Sequence, residues 1–178
     1  MDKELSIPLG VVVERREIDN PWQKWSWSPV AVIPGARAVE GWVELARDRL
    51  SVRYHAATLP LVIHRSETEA YRLNLSNERP VVYVVLAPNL QPDAEHDYQP
   101  VSVTVSPYEA QDSLDSGEEI VEGVTMPDGM IAWVQAFIDA HHVDEPFKKR
   151  KRRRYATHDV EFGRPPPVSK GRKDRGDS

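Results

Sequence analysis

Three indoles within six residues, Trp22, Trp25 and Trp27, form the most distinctive local constellation in this sequence of 178 residues. Indoles carry no acid–base chemistry of their own; they bind, by covering flat apolar area while offering one N–H donor. Left exposed together, the three would present on the order of 500 Å2 of apolar surface, comparable to the largest patch on a typical monomer. The cluster is therefore either packed into the core or a docking surface. The spacing puts Trp25 and Trp27 on one face at the start of a strand and packs them inward. All three remain candidate partner-binding residues near the first turn of the chain.

A second constellation is the run of seven cations Lys148, Lys149, Arg150, Lys151, Arg152, Arg153 and Arg154. It suits an anionic partner, whether the acidic remainder of the chain, an acidic protein or nucleic acid. Neutralising about seven phosphates would give a log–log salt slope near −6, so a nucleic-acid complex of this run alone should fade above physiological salt. Nucleic acid is the least favoured of the three.

Other chemistries are poorly supplied. There is no cysteine, which excludes disulfides, thiol catalysis and cysteine-ligated zinc or iron–sulfur centres. His55 and His64 flank an expected turn at Ala56–Pro60, with Glu67 and Glu69 close by, but no HExxH or HxH spacing occurs. His141 and His142 are adjacent, as suits an electrostatic cap at a helix C-terminus. Neither GxGxxG nor GxxxxGK[ST] is present to cradle phosphates, and no GxSxG elbow presents a serine. Glu118-Glu119, Asp112 and Asp115 read as a solvated helix end. No catalytic residue, metal ligand or cofactor is assigned.

Charge divides the chain. Residues 147–178 hold 12 of the 23 basic and 4 of the 28 acidic residues, net +8, leaving residues 1–146 with 11 basic and 24 acidic, net −13. An acidic body disfavours a nucleic-acid surface on the domain itself. The expected organisation is a folded domain over 1–146 and a disordered basic tail over 147–178, too poor in apolar residues to offset the entropy of ordering. No apolar run reaches the roughly 20 residues of a membrane span and the first residues lack a signal-peptide core, so a cytoplasmic protein is expected.

The elements that must position these residues read mainly as strands. Leu5–Arg16 is a first strand, with Leu9 to Val13 apolar and Glu14 to Glu17 carrying it out to solvent. Asp19-Asn20-Pro21 is a turn signal leading into a short helical turn, and Ser28–Pro34 is a second strand. Ala36–Asp48 reads equally as strand or loop. Leu50–His55 and Leu59–Arg65 read as two strands. Tyr71, Leu73 and Leu75 alternate with polar residues as in a strand, and Asn77–Pro80 then turns into the apolar run Val81–Leu86. Against this, Ser66 and Glu69 have capping-box spacing, which would start a helix there. Pro88–Pro100 should be a mobile surface loop.

Val101–Val105 is a further strand, and Ser106-Pro107-Tyr108-Glu109 caps a helix ending near Ser116-Gly117. Ile120–Met126 is the last strand. Asp128 caps a helix with the stripe Met130, Trp133, Val134, Phe137, Ile138 and His141. The fold class is α+β: six to eight mostly antiparallel strands, as a sheet or small barrel, closed by two helices.

Several of these blocks together resemble the uncharacterised proteobacterial family called domain of unknown function 3305. They are Ile7 to Arg16, the three indoles, Glu67 to Arg72 with Asn74-Leu75, Val82 to Leu86, Ser106 to Asp112, and Trp133 to Phe137 followed by the Lys148–Arg154 run. The resemblance covers about Leu5 to Arg154. It implies a genomic setting beside molybdenum-dependent formate dehydrogenases and their maturation factors, and some members carry a label of molybdopterin-guanine dinucleotide biosynthesis. It supplies no catalytic residues, and Gly10 standing alone among valines lacks the phosphate loop such a nucleotidyltransferase needs. The expectation is a non-enzymatic accessory protein binding formate dehydrogenase or its maturation factors. The alternatives are an enzyme or carrier in molybdopterin cofactor biosynthesis and a nucleic-acid-binding module acting through the tail.

Overall fold

The structure is a computed structural model, and it describes residues 3–143. The basic run Lys148–Arg154, the 146/147 boundary and the tail expected to be disordered lie outside those residues. Within the described residues, seven strands form two antiparallel sheets. The larger contains β1 (Glu4–Glu17), β2 (Trp25–Pro34), β3 (Val43–Arg47) and β4 (Ser51–His64) in the order β2-β1-β4-β3. The smaller contains β5 (Val81–Pro88), β6 (Tyr98–Thr104) and β7 (Ile120–Thr125) in the order β6-β5-β7. Flanks of the two sheets come together where β4 meets β6 and β2 meets β7, yet no ladder joins them. The α+β class with antiparallel sheets holds, and the barrel alternative gives way to two open sheets.

Between the sheets lies one core. Leu9, Val11 and Val13 of β1 and Leu61 and Ile63 of β4 pack with Val82, Val84 and Leu86 of β5, and the buried face of α3 (Asp128–His141) adds Met130, Val134, Phe137 and Ile138. The helical stripe expected from the sequence is thus the buried face, with Trp133 at its margin. Pro127 rather than Asp128 occupies the cap position, leaving Asp128 as the acid of the first turn, where the helix dipole favours it.

Three expectations need correction. The first concerns 68–75, which forms helix α1 (Thr68–Leu75) and makes three α-helices among the described residues where two were expected. Strand alternation would bury Tyr71, Leu73 and Leu75 together, but Leu73 is exposed and Asn74 is fully buried. The reason is a set of tertiary hydrogen bonds: the Asn74 amide donates to the carbonyls of Val81 (2.7 Å) and Val105 (2.9 Å) and accepts from the Val81 N–H (3.1 Å). It stands in for a strand partner at the start of β5, below the first rung with β6, Tyr83↔Thr104. A helix puts Ala70, Tyr71 and Asn74 on one face, whereas a strand could not. The expected capping box is not used: Glu67 is the cap, without a side-chain bond, after a 3-10 turn over Arg65–Glu67.

The second correction removes the turn at Ala56–Pro60. β4 runs unbroken for 14 residues. Ala56 is accommodated as a bulge where Val11 pairs with Ala57 and Val12 with His55, and Pro60 sits opposite Pro8. β3 pairs only with Val52–His55, so at Pro60 β4 has a single sheet neighbour, where a missing N–H is tolerated. His55 and His64 therefore lie nine residues apart on one strand, about 30 Å, and cannot face each other. Among the described residues no group of His, Asp or Glu could hold a metal ion.

The third correction concerns the turn after β1. Asp19–Lys24 is an irregular bend in which Asn20 Oδ1 accepts from the Trp22 N–H (2.9 Å), so the asparagine makes an Asx turn in place of a helical one. β1 itself continues to Glu17 and β2 begins at Trp25.

α2 (Pro107–Leu114) begins as its sequence indicates, with Ser106 Oγ accepting from the Glu109 N–H (3.3 Å). The Glu109 carboxylate does not close the box. It accepts from the Thr104 hydroxyl (2.6 Å), while the Ser106 N–H donates to Thr104 Oγ1 (3.0 Å). Among the described residues no helix is long and apolar enough to cross a membrane. Replacing Asn74 by Ala strands two carbonyls and one N–H, and equilibrium urea unfolding should show a loss of about 2–4 kcal/mol.

Candidate functional site

Pairing register assembles the site. In the β1–β2 hairpin Arg15 lies opposite Trp27 and Glu17 opposite Trp25; across the other ladder Arg15 lies opposite Val52 and Val13 opposite Tyr54. Because residues two apart share a face, Arg15 follows Val11 and Val13 on the core side and meets Trp27 directly, with Trp25 and Tyr54 on the diagonals. The sequence reading that sent Glu14 to Glu17 into solvent fails at this residue and at Glu14, and holds for Arg16 and Glu17. The Arg15 guanidinium carbon is 4.2 Å from the centroid of Trp25, 5.8 Å from Tyr54 and 6.0 Å from Trp27. Those distances are in the cation–π range.

Two further segments close the cluster. Trp42, just before β3, meets Trp27 edge-on (5.7 Å, 90°) and Tyr54 at 5.4 Å. The segment between β5 and β6 brings in His96, which stacks on Trp42 (3.9 Å, 13°) and turns an edge to Tyr54 (5.2 Å) and Trp27 (5.7 Å). Asp97 Oδ2 accepts from the Trp27 indole N–H (3.0 Å), and the Asp97 carbonyl accepts from the Asn89 N–H (2.8 Å), closing the loop on itself. The loop expected over Pro88–Pro100 is thus shorter, and its last residues pack on the indoles.

The charges are unevenly served. Glu14 takes both Arg16 (3.5 Å) and Arg53 (3.8 Å), while no carboxylate among the described residues lies within ion-pair distance of Arg15. Only two buried side-chain nitrogens or oxygens among the described residues lack a hydrogen-bond partner, Arg15 Nε and His96 Nδ1. Both belong to this one cluster. Burial holds the His96 imidazole below its ordinary pKa, and the Arg15 cation acts in the same direction against Glu95 and Asp97. Its neutral form is the one the site favours.

The three indoles part company. Trp27 is 4% exposed and packed in the core, Trp25 is half-buried under Arg15 with Lys24 Nζ 5.0 Å from its ring, and Trp22 is 92% exposed. Inward packing of Trp25 and Trp27 from one strand face is what the structure contains; Trp22 stands apart on the bend. Arg15, Trp42, Tyr54, His96 and Asp97 were not among the sequence candidates. Alternation from Val11 through Val13 pointed to Arg15, whereas His96 and Asp97 gave no local signal.

The fold and site define an α+β protein of two antiparallel sheets whose distinctive feature is an arginine enclosed by aromatic rings at one end of the larger sheet. Residues 8–151 match the family model described as Protein of unknown function (DUF3305), and the chain belongs to that family. Comparisons with curated proteins and with solved structures give no match.

For His96, a native pKa lowered from about 6.5 means that the unfolded chain binds the proton first. Stability should therefore fall as pH drops below that value and level off once the native imidazole is also protonated. Melting temperatures taken across this interval should decline more steeply for the wild type than for His96→Phe; parallel curves would show that His96 titrates normally.

Proposed function

We propose that this protein is a non-enzymatic, cytoplasmic accessory protein that docks on a component of the molybdenum-dependent formate dehydrogenase system during its maturation or assembly. The observation that carries the docking reading is the exposure of Trp22 at the bend between β1 and β2, one turn of chain from the half-buried Trp25. Covering one indole removes roughly 150–250 Å2 from water, worth up to about 4–6 kcal/mol before ordering costs. Few single residues offer a partner as much, and aromatic and arginine side chains are the usual anchors of protein interfaces. The resemblance to a family found beside formate dehydrogenase genes supports the choice of system. The acidic charge of residues 1–146 supports a protein partner over nucleic acid.

A second reading, a carrier or enzyme acting on the molybdopterin cofactor, draws support from Arg15, whose guanidinium lies among aromatic rings without a carboxylate partner among the described residues. The two readings separate on what copurifies. Affinity-tagged protein should capture the dehydrogenase catalytic subunit or a maturation factor, and Trp22→Ala should reduce capture at least tenfold. Because Trp22 is exposed and lies outside the core cluster, the variant's melting temperature should stay within about 3 °C of wild type. Failure to capture, together with normal dehydrogenase activity in a deletion strain, contradicts the proposal.

A further inference from the structure

Native proteins leave few buried polar atoms unpaired, and each such atom calls for a reason. Here both orphans sit at one place. The Arg15 guanidinium carbon and the His96 ring each lie within 6.0 Å of the centroids of Trp27 and Tyr54. Arg15 Nε always bears a hydrogen, and His96 Nδ1 bears one in one neutral tautomer and in the imidazolium. What both then lack, among the described residues, is an acceptor. Neither carboxylate flanking His96 in sequence serves: Asp97 Oδ2 is turned to the Trp27 indole, and Glu95 makes no hydrogen bond to His96 Nδ1.

Both residues reach solvent in part although these two atoms do not, so a ligand oxygen must displace a covering side chain to reach them. Exclusion of solvent from these two nitrogens strengthens any charge-assisted hydrogen bond formed there. Residues 1–146 carry a net charge of −13, so unspecific attraction of anions to the body is disfavoured and local chemistry must provide the affinity. The geometry points to an oxyanion-binding site at the aromatic end of the larger sheet, in which Arg15 and His96 hold a carboxylate or phosphate group of a ligand.

Arg15 is the specificity-determining group. Its Nε–H and an adjacent N–H form a planar fork that matches two oxygens of one carboxylate or phosphate, a match a lysine ammonium does not make. Trp22 is not part of this site, so protein docking through Trp22 and anion binding through Arg15 succeed or fail separately.

The test uses the full-length protein and its own tryptophan emission, since three of the five indoles line the site. Sodium phosphate and sodium acetate are titrated separately at constant ionic strength, with chloride making up the balance. A saturable change with either anion, absent with chloride, is the expected result; phosphate alone marks a phosphate-bearing ligand and acetate alone a carboxylate-bearing one. Arg15→Met and Arg15→Lys should each weaken the response about tenfold or more, as loss of a charge-assisted bidentate contact implies. Should Arg15→Met fail to fold, His96→Phe keeps a flat ring on Trp42 while removing the nitrogens, and it too should weaken the response. No saturable change with either anion, or undiminished binding by the folded variants, overturns the inference.

Discussion

The antiparallel ladder between β1 and β4 is the constraint on which everything else hangs. It runs from Glu4↔His64 to Arg16↔Ser51, so a single register fixes which β1 side chains face the core along the whole sheet. A slip of one residue would turn Leu9, Val11 and Val13 outward and Arg15 with them. Two local features hold the register. The bulge at Ala56 lets β4 stay paired past Val11 and Val12, and Gly10 leaves room where the chain crowds: a Cβ there would lie 2.9 Å from Ala36 Cβ and 3.0 Å from His55 Nε2. Thr58 Oγ1 donates its hydrogen to the Arg37 carbonyl (2.6 Å), so His55 Nε2 must be the donor to Thr58 (2.8 Å), which fixes its tautomer.

At the end of that ladder the pattern that builds the core places a cation. An arginine in phase with Val11 and Val13 brings no evident gain in stability. Its contacts with aromatic faces are worth about 0.5–2 kcal/mol, while an unpaired buried donor costs about 1–3 kcal/mol. The two effects roughly cancel. A hydrophobic residue in phase with the strand would pack there without the penalty, and places where a chain breaks its own local rule tend to be functional. His96 Nδ1 beside it, also without a partner among the described residues, argues against a chance occurrence.

Much of this fold could be read from residue patterns, and the failures share one cause. The α3 stripe, the Ser106 cap, Gly117 at positive φ after α2, and the runs Val81–Leu86 and Ile120–Thr125 all follow local rules and stand where those rules put them. The misread elements depend on distant partners. α1 is a helix because Asn74 must reach Val81 and Val105, and β4 continues through Pro60 because it has no second strand neighbour there. The site divides the same way: Trp25 and Trp27 were visible from spacing, and Arg15 was one alternation further along. His96 and Asp97 enter from a polar loop 70 residues beyond Trp27 in the case of the indole–carboxylate bond, a distance no local period reports.

Arg15 Nε–H has no acceptor among the described residues, and on the proposal above it is held to meet one from a ligand. Proton resonance of that single group measures this most directly. In the free protein the Nε–H signal should exchange slowly with solvent, because it is buried, while showing none of the downfield displacement of a strong hydrogen bond. On addition of a bound oxyanion or a partner that supplies one, it should move downfield and exchange more slowly still. A signal already displaced in the free protein, or one unmoved when the ligand binds, would contradict the account.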